Sequence, residues 1–299
     1  MMTVGVWDAA VVIARAVTYA ATLAAAGGVF FLFYSHALLD SSCAGPIRRL
    51  IRTLAVIAAL AGGTMILATA ASMAGDVGGL ADVGLARMIL QGGEGRASLV
   101  RLIGLVLIFA NLTARRPAAM ALLGAVAAAT SFAWIGHVHS LAPVLRNAWL
   151  PAVAIVVHLL GVAFWLGALI PLLMVADGTD RSRVAVTVGR FGTAALSVVG
   201  ALLVAGVVLL CLLLRDVTDL WTDGYGRLVL TKISLVSCLL ALAAFNHWRL
   251  TPRLFTDDVR ALRALKRSIM AELAVAGCIL VATAAMTTLT GPPVLDMAH

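Results

Sequence analysis

Long apolar runs separated by short polar stretches dominate the chain. They fall at approximately residues 11–39, 51–75, 98–114, 117–138, 150–176, 190–214, 226–248 and 266–290. Crossing the hydrocarbon of a bilayer takes roughly 20 apolar residues at about 1.5 Å of helical rise each, so each run predicts a transmembrane helix. The third is the shortest and has Arg101 near its start. Gly45-Pro46, Gly92-Gly93, Pro117, Pro143, Gly178, Gly224 and Pro252 punctuate the gaps. The expected fold is all-α, a polytopic membrane bundle of eight transmembrane helices forming one membrane domain over 1–299.

Composition supports this reading. Hydrophobic residues make up 62% and charged residues 12% of the chain, with a mean hydropathy of +1.05. A soluble domain carries about a quarter charged residues, so lipid is expected to solvate much of the surface. The opening MMTVGVWDAA lacks the basic start and cleavage site of a signal peptide, so the first helix is expected to be retained. Cys43, Cys211, Cys238 and Cys278 form no CxxC pair, which points to neither a disulfide framework nor a zinc site.

The net charge of +8 invites a nucleic-acid reading, but the basic residues cluster between apolar runs, where orientation signals belong. The gaps after helices 1, 3, 5 and 7 hold Arg48, Arg49 and Arg52; Arg115 and Arg116; Arg181, Arg183 and Arg190; and Arg249, Arg253, Arg260, Arg263, Lys266 and Arg267. The other side holds Arg87, Arg96, Arg101, Arg146, Arg215 and Arg227. The excess of positive charge places the first set in the cytoplasm and both the N- and C-termini on the periplasmic side.

The halves also echo each other. Gly95-Arg96 opens helix 3 and Gly226-Arg227 opens helix 7; a base follows each Gly six positions on, Arg101 or Lys232, and Asn111 and Asn246 close the two helices. A four-helix unit duplicated in one orientation, a 4+4 parallel repeat, gives this pattern.

Ionisable groups inside spans are costly and direct attention to function unless they snorkel. Arg15 and Arg101 lie near an outer boundary, from which both are expected to reach water. Lys232 and Glu272 each lie about 9 Å from an end, on opposite sides, so they are not expected to pair. Glu272 is expected to accept hydrogen bonds from a basic neighbour such as Arg253 or Arg267, with proton coupling as the competing role. His137 and His139 end helix 4, and His158 lies about two turns into helix 5, on the face of Gly161 and Trp165. On helix 2, Met65, Thr69, Ser72, Met73 and Asp76 recur at helical spacing and are expected to face the interior. Imidazole with thioether suits copper, methionine favouring Cu(I). Read singly, such a His is better explained as an interhelical hydrogen-bonding group and such a Met as a gap-filler; together at one depth they favour a metal site. The candidate ligands are His137 and His158 with Met73 and His139, the last pointing away from His137 if the helix continues. Met65, Asp76, Trp165, Lys232, Asn246 and Glu272 are pathway or support residues. His36, Cys43 and His247 sit near the cytoplasmic ends, either as an exit or as ordinary interfacial residues, and Met297 and His299 close the chain.

Several stretches resemble the CopD/PcoD family of bacterial copper-resistance membrane proteins. His158-Leu-Leu-Gly-Val-Ala-Phe-Trp-Leu-Gly-Ala-Leu-Ile-Pro171 is similar to its helix 5 signature, and Gly136-His137 to its Gly-His at the end of helix 4. Tyr225-Gly-Arg-Leu-Val-Leu-Thr-Lys232, Asn246-His-Trp-Arg-Leu-Thr-Pro-Arg253 and Arg267-Ser-Ile-Met-Ala-Glu-Leu273 resemble helix 7, its loop and the last helix. In the first half the likeness lies mainly in hydropathy and in Glu94-Gly-Arg96. The resemblance implies an eight-helix protein of the bacterial inner membrane that moves copper or hands it on, often beside a periplasmic CopC-type carrier. The family's histidines carry over to His137 and His158 and its tryptophan to Trp165; His139 lies outside the shared motif.

The leading expectation is a copper permease or transfer protein, not an enzyme. Neither a GxxxxGK[ST] motif nor a DKTGT loop is present, which argues against direct use of ATP. The alternatives are a membrane haem protein with paired histidine axial ligands and a copper sensor or assembly partner that does not transport.

Overall fold

The computed structural model describes residues 5–114, 118–135, 149–213, 224–256 and 258–289. Every regular element among them is helical. In chain order these are α1 (Val6–Tyr34), α2 (Ser41–Ala74), α3 (Val83–Gln91), α4 (Gly93–Ala114), α5 (Ala118–Thr130), α6 (Trp149–Ala176), α7 (Arg181–Leu213), α8 (Gly224–Phe245) and α9 (Val259–Leu289). A π-helical turn, Asn246–Leu250, and one α turn, Thr251–Leu254, extend α8.

Seven helices are long and apolar enough to cross a membrane, and Ala118–Trp134, which ends in a 3₁₀ turn, is a shorter apolar one. At about 1.5–2 Å per residue this last helix spans roughly 25 Å, so together with its neighbours it accounts for the eight apolar runs. The chain is a multi-pass helical membrane protein.

Helix ends lie where the caps are, not where hydropathy falls. Apolar runs at 11–39 and 51–75 predict an early break, yet α1 stops at Tyr34 and α2 starts at Ser41. There the Asp40 carboxylate accepts the Cys43 N–H at 3.1 Å and begins the helix inside the basic segment. Gly75, at φ 80°, ends α2 in the left-handed conformation that glycine adopts without cost. Likewise α7 and α9 begin well before the apolar runs at 190 and 266, at Arg181 and Val259, because basic first turns continue the helix beyond the apolar run. The helix α3, capped by Asp82 through Leu85 N–H at 3.0 Å, has no counterpart among the apolar runs.

The centre is the crossing of α1 with α6, the first helix of each half, and it is built on glycine. A Cβ on Gly27 would lie 1.7 Å from the Ala163 carbonyl oxygen, and one on Gly167 2.4 Å from Gly27 Cα. Where lipid solvates apolar side chains, close backbone contact of this kind supplies the packing attraction. Gly104 and Gly124 join α4 to α5 in the same way, each Cβ falling 2.6 Å from the other's carbonyl oxygen. One large apolar core draws on α1, α2, α4, α5, α6, α7 and α9. Around the half of α7 and α8 away from the basic loops, packing breaks into small separate clusters, Ala154 with Ala205 and Leu209, and Val229 with Met286.

Candidate functional site

His158 lies one turn beyond Ala154, a member of the first of those clusters. It projects from the middle of α6, roughly 14 Å along the helix from Trp149, and its buried Nδ1 has no hydrogen-bond partner. Gly161, one turn on, lets α7 approach so closely that a Cβ there would meet Leu202 Cγ at 2.7 Å. The Leu202 backbone therefore lies beside the imidazole, and Lys232 of α8 is within electrostatic reach of it. An imidazole nitrogen without a partner is a metal donor, while Lys232 in its charged form opposes a cation bound there.

The other proposed ligands are distributed differently. His137 and His139 lie outside the described residues. On α2 the polar stripe turns outward along its length. Met65 is buried at 1% exposure and Thr69 hydrogen-bonds back to its carbonyl, but Met73 is 52% exposed and the exposed Asp76 accepts the Gly78 N–H. The expectation that the whole stripe faces the interior therefore holds at Met65 and fails at its far end, where Ser72 turns instead to the Asp8 carboxylate of α1 at 2.5 Å. The described contacts do not bring Met73 to His158. Among the described residues no group of three or more His, Cys, Asp and Glu side chains is placed to hold a metal ion.

Toward the basic-loop face, three of the support residues do converge. Glu272 of α9 is buried at 3% exposure; it accepts one hydrogen bond from Trp165 Nε1 of α6 at 3.3 Å and another from Asn246 Nδ2. The π turn delivers Asn246. Its widened backbone carries the amide inward and is closed by Thr251, whose hydroxyl donates to the Asn246 carbonyl at 2.8 Å. π turns of this kind recur at functional sites. The expected basic partners of Glu272, Arg253 and Arg267, are thus replaced by two neutral donors on other helices. Arg253 is exposed beyond the π turn, and Lys266, near Arg267, pairs instead with Asp177 at 2.5 Å.

Arg15 and Arg101 also depart from expectation. Both are largely buried, at 9% and 2% exposed, and Arg15 Nη2 lies 3.5 Å from Glu94 Oε2. Snorkelling is a property of an isolated helix end; here α1, α4 and α5 close over both guanidinium groups. The sequence signal was available in Glu94, Ser98 and Arg101, which recur on one face of α4. Gly95 has a separate structural reason, since a Cβ there would lie 2.0 Å from the Leu90 carbonyl oxygen at the α3–α4 corner.

These features define a multi-pass helical membrane protein with polar groups buried in its interior. Comparison with known proteins narrows the class. Residues 6–144 match the family model described as copper resistance protein D-like, N-terminal domain, and residues 185–286 match that of copper resistance protein D. Copper resistance protein D of Pseudomonas syringae pv. tomato is 30% identical over 264 residues, covering 82% of this chain and 84% of that protein. The copper transport protein CutJ of Bacillus subtilis (strain 168) is 28% identical over 140 residues, 46% of this chain; the match spans only 25% of that relative's length. No solved structure matches. The chain belongs to the copper resistance protein D family.

Proposed function

We propose that the protein moves copper across the bacterial inner membrane, or hands it on within that membrane, taking the ion from the periplasmic side. The observation that carries this reading is the buried, unpartnered Nδ1 of His158 on a helix whose other side chains are apolar apart from Trp149 and Trp165. The names of the two relatives, a copper resistance protein and a copper transport protein, support it. In this reading His158 and His137 are the ligands, with Met73 and His139 as secondary donors, and a CopC-type carrier delivers the ion on that side. The small size of the apolar clusters around the periplasmic halves of α7 and α8 suits a path for a small ion. Lys232 keeps the site from retaining cations, so that an ion which enters can leave.

Competitive titration of the purified protein with Cu(I) against a chelator tests this. The wild type is expected to bind copper, and His158→Ala to lose affinity at least tenfold while remaining folded. Equal affinity in the two proteins refutes His158 as a ligand. A visible haem band on the purified protein would replace the reading with electron transfer.

A further inference from the structure

At the face opposite the basic loops, α1, α4 and the end of α5 bury a polar cluster that, among the described residues, holds two cationic groups and one carboxylate. Five buried side-chain atoms there have no hydrogen-bond partner: Arg15 Nε, Glu94 Oε1, Ser98 Oγ, and Arg101 Nη1 and Nη2. Glu94, Ser98 and Arg101 line one face of α4 at four- and three-residue steps. Arg15 crosses from α1 to pair with Glu94. Arg101 Nε donates to Ser131 Oγ at 3.3 Å, and its guanidinium lies 4.4 Å from the centre of the Phe132 ring, which Tyr19 meets edge-on at 4.8 Å.

Two guanidinium groups share one carboxylate. Arginine does not shed its proton in proteins, and an uncompensated buried ion is strongly disfavoured. The face of Phe132 offsets part of the charge. The next acid along α1, Asp8, is engaged at the surface by Ser72 and by the Gly5 N–H at 3.1 Å. Water would satisfy the hydrogen-bonding atoms and leave the charge. A small anion does both, because the Nη1 and Nη2 edge of an arginine is a ready fork for a negative ligand.

We propose that this cluster takes up one monatomic anion of the halide class, gripped by Nη1 and Nη2 of Arg101 and by the Ser98 hydroxyl. Glu94 Oε1 repels an anion at close range and so places the ion on the Arg101 side, while the Arg15–Glu94 pair closes the other. The ion then locks α1, α4 and α5 together, independently of any metal bound at His158.

The test is thermal unfolding of the detergent-purified, copper-free full chain in sodium chloride and in sodium gluconate at equal ionic strength. A ligand that binds only the folded state raises Tm in a saturable way. Chloride and bromide are expected to raise Tm over gluconate, and Arg101→Gln to abolish the difference. Equal Tm in chloride and gluconate, or an unchanged halide effect in Arg101→Gln, overturns the proposal. Where Arg101→Gln yields no folded protein, Ser98→Ala decides. It is expected to raise the half-saturating chloride concentration severalfold, and an unchanged value overturns the proposal.

Discussion

Glu272 shows what one buried residue does in this bundle. Its carboxylate satisfies N–H groups from Trp165 and Asn246 and so ties α6, the π turn and α9 into one unit. Removing the acceptor leaves both donors unpaired. Glu272→Ala is therefore expected to destabilise the protein by about 2–6 kcal/mol, at roughly 1–3 kcal/mol for each orphaned group. Glu272→Gln has an escape. Its oxygen can face Trp165 while its amide N–H meets Asn246 Oδ1, which has no partner in the structure, after the Asn246 amide turns over. Near-normal Tm for Gln, with copper binding per folded molecule unchanged, is the expected outcome. Abolished copper handling at normal stability would make Glu272 a proton-coupling group instead. Each of these three residues stood out in the sequence as a polar group on an apolar helix. Their convergence did not, because it depends on a π turn and on three helices meeting, neither of which leaves a periodic trace. Arg15 and Arg101 are more buried than their positions along the helices imply for a related reason. Depth along a single helix measures access to water only until another helix covers it.

Among the helices, small residues decide which elements approach and how closely. Gly27→Ala is expected to cost about 1–3 kcal/mol, as overpacking does, at the upper end of that range because the clash is with the Ala163 backbone, which cannot rotate away. Gly200→Ala, in the middle of α7 with open space around the added methyl, is expected to be neutral or stabilising by up to about 1 kcal/mol. Thermal unfolding of the two variants side by side checks the contrast; equal losses would mean that helix propensity, not the α1–α6 crossing, is being read. Hydropathy placed the eight apolar helices correctly because lipid demands an apolar surface over a fixed thickness. It missed their ends because Asp40, Gly75 and Asp82 set those by local hydrogen bonding and backbone conformation. It missed α3 because nine residues at a surface give no membrane-length run.

For the molecule as a whole, family membership and the distribution of polar groups support one account. A glycine-built α1–α6 centre joins two halves; the second half carries His158, with Lys232 beside it, on the side away from the basic loops, and the Glu272 network toward them. The central claim, that copper passes through this chain by way of His158, is tested most directly by copper flux into proteoliposomes. Vesicles holding the wild-type protein are expected to accumulate copper well above empty vesicles. Vesicles holding an equal amount of folded His158→Ala are expected to do so at least tenfold more slowly. Wild-type vesicles that bind copper yet fill no faster than empty ones, or a His158→Ala protein that fills them at the wild-type rate, would contradict the account.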